Sequence, residues 1–478
     1  MKSRFVALGL ILIFNLSFIA SAFTYDIKTQ PGYEEFIKYL DKIFFVSTDE
    51  MKNIIKDFHS EMVNGLSGSN SSLKMIPSFT DRANGTEKGK FIALDFGGTN
   101  FRVMLVDLDG KGGVFVSSVD KYVIDKQYME GTGEQLFDFI ASGIKKIMEK
   151  NNISSHNQLE LAFTFSFPVE QTNIAAGRLL IWVKGFTASG VVGKDVVVML
   201  NEALKRIGIK NLKVAALVND TVGTLVAKSY TEPSCDIGVV LGTGTNACYS
   251  EKMVNIKKWR EISDKETMIV NMEWGNFNKL PITVYDKNVD ATSSNPGAQR
   301  LEKMVSGMFL GEILRVVVHD LIDRNLIFQD ESAINAFSNH PDFTTQDVAL
   351  IEADNTDNLE NVEVFLAKKG VKNITLESKK LLKHISKLVS CRSAKLAASS
   401  IAAVVLWIDP ELKNKHVIGI DGSLFEKYPG YKEMMDDALK SLFKENSEHI
   451  VLEQAKDGSG VGAAIIAASV ASTNNIKH

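Results

Sequence analysis

The stretch "FIALDFGGTNFRVMLVDLDGKGGVFVSSV", Phe91 to Val119, holds three apolar, β-branched runs separated by Gly97-Gly98 and by "DGKGG". Such runs bounded by glycine turns predict strand, turn, strand, turn, strand. Farther on, "DIGVVLGTGTNACYS", Asp236 to Ser250, repeats the order of strand, glycine turn, strand. "GGTN" ending at Asn100 is echoed by "GTGTN" ending at Asn246. Two related hairpins, each with helices following, predict two α/β lobes facing a cleft.

Outward from these hairpins the periodicity changes. Residues 33 to 66 place Phe36, Tyr39, Leu40, Ile43, Met51, Ile54, Ile55, Phe58 and Met62 at helical spacing, and "GLSGSNSS" ends the run. A helix is predicted from Glu134 to Lys150, a strand in "LELAFTFSFPV" stopping at Pro168, and a helix in "DVVVMLNEALKRIG". The strand "KVAALVND" runs into the helix "TVGTLVAKSY". Beyond Ser306 the chain reads as mostly helical, including Leu381 to Leu406. There "VIGIDGSLF" is a strand entering a glycine turn, and "DGSGVGAAIIAASV" a glycine turn entering a helix.

At 478 residues the chain is long for one core, so two domains or a bilobal unit is expected. Hydrophobic residues at 45% and charged residues at 23% mark ordinary globular composition, not disorder. A net charge of −4 with both signs dispersed lacks the basic stripe of a nucleic-acid binder. Cys235, Cys248 and Cys391 form neither a disulfide framework nor a CxxC zinc pattern, and suit a reducing compartment. The N-terminus points elsewhere. Lys2 and Arg4, the apolar run Phe5 to Ile19, and Ala20-Ser21-Ala22 compose a secretory signal over residues 1–22. An uncleaved membrane anchor through residues 5–23 is the alternative, and no other segment reads as apolar enough to cross a membrane. Sequons at Asn70, Asn84, Asn152 and Asn373 are acceptors on a secretory route, whereas the one at Asn219 lies inside a candidate site.

Four glycine turns recur: Gly97-Gly98-Thr99, Gly242-Thr243-Gly244-Thr245, Asp421-Gly422-Ser423 and Gly458-Ser459-Gly460. Glycine lets backbone N–H groups approach phosphate oxygens, and Thr or Ser adds donors; a plain hairpin turn is the simpler use of any one of them. Neither GxxxxGK[ST] nor a helix-opening GxGxxG is present, which excludes P-loop and dinucleotide readings. Asp95 ends a strand where a hydrated Mg²⁺ is easily held. "LVND" sets Asn219 and Asp220 at a strand's carboxyl end, where ligands gather and a carboxylate can take a proton from an attacking hydroxyl. Equally, Asp220 suits the N-cap of the next helix. Lys184 in "LLIWVKGF" is either a snorkelling edge lysine or a site cation, while Glu273 and Glu302 alone read as surface carboxylates.

Taken together, these motifs resemble eukaryotic hexokinases. "IPSFTDRANGTEKGKFIALDFGGTNFRVMLV", "LAFTFSFPVEQ", "KGFTASGVVGKDVVVMLNEAL", "LVNDTVGTL", "LGTGTNACY", "NMEWGNF", "NPGAQRLEKM", "GIDGSLF" and "DGSGVGAA" occur in that family's order from about Pro31 to Val470. The resemblance implies an α/β, two-lobed actin-like/ribonuclease-H-like ATPase fold, with a sugar and ATP cleft between a small and a large domain. Residues 26–81 and 219–456 would form the large domain, and 82–218 with 457–478 the small one. It implies transfer of the γ-phosphoryl of MgATP to the 6-hydroxyl of glucose or a related hexose, with Mg²⁺ arriving on ATP, at most through water near Asp95. By the same resemblance Ser166, Lys184, Asn219, Asp220, Asn246, Glu273 and Glu302 bind the sugar, Asp220 being the catalytic base. Asp95, Gly97, Gly98, Thr99, Asn100 and Arg102, then Thr243 and Gly244, then Gly422 and Ser423, face ATP.

Three departures from the family follow. Val183 stands where relatives usually place a threonine whose hydroxyl meets the sugar. Val461 stands where some relatives carry a basic residue and others a small neutral one. The secretory signal resembles the secreted hexokinases of intracellular parasites, which implies action in a host cytosol; the anchor alternative implies a membrane or mitochondrial surface. Two rival readings are a catalytically weak sugar sensor with the same fold and an actin-like ATPase with a protein partner. The residues on sugar-side positions disfavour the second.

Overall fold

The computed structural model describes residues 32–98, 100–154, 159–260, 265–328, 331–338 and 343–476, the last four by backbone alone. The segment read as leader or anchor, and Thr99, lie outside the described residues.

The run read as a single helix over 33–66 is two, α1 (Tyr33–Phe44) and α2 (Thr48–Ser67). Ser47 breaks it by forming a capping box: its hydroxyl accepts from Glu50 N at 3.2 Å, and the Glu50 carboxylate accepts from Ser47 N at 2.7 Å. Gly68, at φ +80°, ends α2 in the left-handed conformation that a side chain disfavours.

After β1 (Ile76–Pro77) come β2 (Lys88–Phe96), β3 (Asn100–Asp109), β4 (Val114–Val123) and α3 (Gly133–Lys150). Next are β5 (Leu159–Phe165), β6 (Val169–Asn173), β7 (Ala176–Leu179), α4 (Val196–Arg206), β8 (Leu212–Val218) and α5 (Asp220–Thr231). Then follow β9 (Cys235–Leu241), β10 (Thr245–Lys252), β11 (Thr267–Asn271), α6 (Arg300–Val305) and α7 (Leu310–Asp323). The chain finishes with α8 (Leu376–Ile408), β12 (His416–Asp421), β13 (Ile450–Gln454) and α9 (Gly458–Ile476).

Two sheets carry the fold, ordered β4-β3-β2-β5-β8 and β1-β11-β10-β9-β12-β13, with β6-β7 as a separate ribbon. Each is built around one of the glycine hairpins. β2 pairs antiparallel with β3 and parallel with β5; β9 pairs antiparallel with β10 and parallel with β12. The echo seen in the letters is therefore an echo of topology. It also aims the carboxyl ends of β2, β5, β8, β9 and β12, where ligands collect in such sheets, at one region.

The cores follow the same division. Side chains of α1, α2, α7 and α8 pack on the six-stranded sheet, and α3 and α4 cover one face of the five-stranded sheet. Between the sheets, α5 and α9 cross in a third cluster that takes residues from both. Their crossing is glycine-to-glycine: a Cβ on Gly462 would lie 1.8 Å from the Gly223 carbonyl oxygen.

One expectation is corrected. Leu376–Ile408 is long and apolar enough to cross a membrane, contrary to the reading that only the N-terminus is. However, 72% of its most apolar window is buried, and Leu382, Ile385, Val389 and Leu396 sit in the large core. Helices apolar on every side are buried ones, in protein or in lipid.

Candidate active site

The strand ends meet in an open cleft. Ser166, Lys184, Asn219, Asp220, Asn246, Glu273 and Glu302, drawn from six separate motifs, all line it. Val183, Phe167, Pro168, Thr245 and Gln299 complete much of the wall.

Asp220 is not the helix cap. Asn219 takes that position, its Oδ1 accepting from Thr221 N at 2.9 Å and from Thr221 Oγ1 at 2.6 Å. Asp220 becomes the first residue of α5, buried, with Oδ1 accepting from Thr221 N at 2.9 Å. The helix N-terminus favours its negative charge.

Lys184 turns inward. It adopts φ +57° ahead of Gly185 at φ +80°, and its Nζ donates to the Ser166 carbonyl at 2.7 Å. The ammonium also stands 3.9 Å from Asp220 Oδ2 and 5.5 Å from the Phe167 ring centre. Trp182 and Phe186 stack with ring centres 5.2 Å apart, and Trp182 Nε1 donates to the Ala188 carbonyl. These aromatics brace the turn, so Lys184 is no snorkelling edge lysine.

Two acidic residues face this pair. Glu273, at φ +53° just beyond β11, accepts from Asn271 Nδ2 at 2.9 Å and Asn246 Nδ2 at 3.3 Å. Burial pushes its carboxyl up to about 7; the Asn271 donor and Lys184 oppose the rise, while Asp220 and Glu302 add to it. Glu302 accepts from Thr245 N at 3.1 Å, and burial likewise raises its carboxyl against the pull of Lys184. Gly244 leaves room for this carboxylate, since a Cβ would come within 2.4 Å of Glu302 Oε2 and push it aside.

The glycine turns lie on the adjoining side. A Cβ on Gly98 would touch Lys184 Cδ at 3.4 Å, which puts the first turn against the site lysine. Gly422, at φ +120°, closes on the second turn, where any Cβ would meet the Leu241 carbonyl oxygen at 2.4 Å. Ser423 N lies 3.8 Å from the Cβ position of Gly242. Gly307 N and Met308 N donate to Gly242 O and Thr243 O, holding the second turn from a third direction.

Arg102 and Asp95, both read from sequence as facing ATP, engage each other. Arg102 Nε and Nη2 donate to Asp95 Oδ2 at 3.1 and 2.5 Å, and its Nη1 pairs with Asp457. Ser459 Oγ at the start of α9 donates to Asp95 at 2.9 Å, which accounts for the fourth glycine turn. Nearby, burial and then the Asp95 charge raise the Asp421 carboxyl to about 6. Among the described residues no three of His, Cys, Asp or Glu group closely enough to hold a metal ion directly.

Sequence reasoning missed Asn271 and Gln299. Both sit inside motifs already quoted, "NMEWG" and "NPGAQRLEKM", but an amide in a motif carries no sign of which way it faces. Gln299, at φ +53°, lines the cleft; Asn271 stands behind it.

Two sheets of matching topology, with a buried carboxylate and a lysine at the cleft and glycine turns beside them, define the two-lobed actin-like class of ATP-using folds. Within that class, the chain belongs to the hexokinase family, whose models match residues 37–230 and 236–469. Hexokinase-2 of Oryza sativa subsp. japonica is 42% identical over 426 residues, covering 86% of each chain. Hexokinase-1 of Spinacia oleracea is 40% identical over 450 residues, covering 91% of this chain and 90% of its own. The structure of the hexokinase from Schistosoma mansoni complexed with glucose superposes with a TM-score of 0.84 at 33% identity, covering 91% of this chain and 98% of that one.

Proposed function

We propose that this chain transfers the γ-phosphoryl group of MgATP to the 6-hydroxyl of glucose or a related hexose, with Asp220 as the general base. The observation that carries the reading is the placement of Asp220: a buried carboxylate, 3.9 Å from Lys184, walled by amides and acidic side chains able to pair with sugar hydroxyls.

Ser166, Lys184, Asn219, Asn246, Glu273 and Glu302 orient the hexose so that its 6-hydroxyl faces Asp220. Asp220 accepts the hydroxyl proton while the oxygen forms its bond to the γ-phosphorus. The bond from that phosphorus to the bridging oxygen breaks, and its electron pair leaves on ADP. Because the transition state is loose, alignment and charge neutralisation outweigh base strength. The turns at 97–98, 243–244 and 422–423 supply backbone donors to ATP, whose Mg²⁺ enters with the nucleotide. Arg102 is held in place for the phosphates by Asp95 and Asp457.

Residues 82–218 with 457–478 act as a small lobe closing on 26–81 with 219–456, which excludes water as a competing acceptor. The separate sheets and the α5–α9 crossing between them support this division. Residues 1–22 act as a secretory leader, supported by their charge, apolar run and Ala-Ser-Ala end. N-terminal sequencing of the exported protein tests that point, and a mature chain that keeps Met1 rejects it.

A coupled assay for hexose 6-phosphate formation from MgATP, run across several hexoses, tests the main reading. Turnover with glucose supports it. Sugar binding without turnover favours a sensor, and ATP hydrolysis indifferent to sugar favours an ATPase with another partner.

A further inference from the structure

We infer that Asn271, which stands behind the cleft, is the positioning residue that sets the aim and the charge state of Glu273 for hexose binding. The inference rests on the reading above in which Glu273 grips the sugar.

Asn271 is the last residue of β11 and is 5% exposed. Its backbone is fixed from both sides, in register with Cys248 on β10 and Ile76 on β1. From that anchored position its amide touches two residues of the cleft wall. Oδ1 accepts from Asn246 Nδ2 at 2.8 Å, and Nδ2 donates to Glu273 Oε1 at 2.9 Å.

The direction of this relay is determined by backbone groups. Asn246 Oδ1 accepts from Ala247 N at 2.8 Å and from Trp274 N at 3.3 Å, so the Asn246 Nδ2 must face Asn271 and Glu273. Asn271 then has to present its oxygen to Asn246 and its own Nδ2 to Glu273. Two amide donors, Asn271 Nδ2 at 2.9 Å and Asn246 Nδ2 at 3.3 Å, therefore converge on Glu273 Oε1, which must act as an acceptor.

Glu273 needs this help. Burial favours its neutral form, Asp220 and Glu302 facing it push the same way, and Lys184 alone among the nearby charges opposes them. Removing the Asn271 donor tips the carboxyl to its protonated form at neutral pH. A protonated carboxyl spends one oxygen as donor and accepts fewer sugar hydroxyls.

The test is a pH series, about 6 to 9.5, of glucose KM and kcat for the wild type, Asn271→Leu and Asn271→Ser, with glucose affinity measured in parallel by calorimetry. Asn271→Leu should raise KM about fivefold at pH 7 and about tenfold toward pH 6, the change that one further unit of carboxyl pKa produces. Toward the alkaline end the KM should return close to wild type, with kcat little altered throughout. Asn271→Ser keeps a short donor and should fall between, and it serves should the leucine variant fail to fold. A KM raised by the same factor at every pH, or left unchanged, overturns the inference. Wild-type protein that neither binds nor phosphorylates a hexose removes the underlying reading instead.

Discussion

Lys184 Nζ and Asp220 Oδ2 lie 3.9 Å apart, and the lysine spends its one short hydrogen bond on the Ser166 carbonyl rather than on the aspartate. The aspartate is therefore neighboured by a cation without being covered by it, and it keeps an oxygen for an incoming hydroxyl.

Asp220→Asn keeps the size of the side chain and an oxygen to accept from Thr221 N, so the fold should hold. Losing the proton acceptor should lower kcat by about 10²- to 10⁴-fold, with hexose affinity retained. Steady-state kinetics beside calorimetry decides it: near-normal turnover would remove Asp220 from its proposed role.

Glu273 carries a stability signature. A carboxyl raised in the folded state to about 7 stabilises the fold at low pH, and that contribution is lost as pH rises through the folded value. Glu273→Gln should thus stabilise the sugar-free protein by about 1–3 kcal/mol at pH 8 and scarcely at pH 5. Denaturant melts at the two pH values would show it, and equal shifts at both would refute it.

Val183 lines the cleft beside Lys184 without offering a hydroxyl. Restoring one by Val183→Thr should lower the hexose KM several-fold, about 1 kcal/mol for one added hydrogen bond, at similar kcat. An unchanged KM across glucose, mannose and fructose would leave Val183 without a role in selectivity.

The helix crossing makes the sharpest steric forecast. Gly462→Ala introduces a Cβ 1.8 Å from the Gly223 carbonyl, so α5 and α9 must part. Destabilisation of about 1–3 kcal/mol is expected, together with lower kcat because α5 bears Asp220 at its N-terminus. A variant with wild-type melting and turnover would contradict the packing described.

Much of this architecture was legible beforehand because glycine turns between β-branched runs leave a strong local signal. Both hairpins and the helix after "LVND" emerge at the expected places, and the seven residues proposed for the sugar line one cleft. Ser47 was missed because a capping serine between two amphipathic runs hardly disturbs their helical spacing. Arg102 and Asp457 are 355 positions apart, and nothing local in either announces the other. Asn271 was hidden for a related reason: its importance lies in the orientation of an amide, which tertiary neighbours decide.

Lys184, Glu273 and Gln299 all hold positive φ, at 57°, 53° and 53°, a conformation that strains side-chain-bearing residues by about 1–3 kcal/mol each. The surrounding structure imposes these kinks. A wall fixed by such kinks needs little further ordering on binding, so affinity here rests partly on that rigidity. Glycine at any of the three should make the protein easier to fold and the hexose harder to hold, which places stability and grip in opposition at the same three positions.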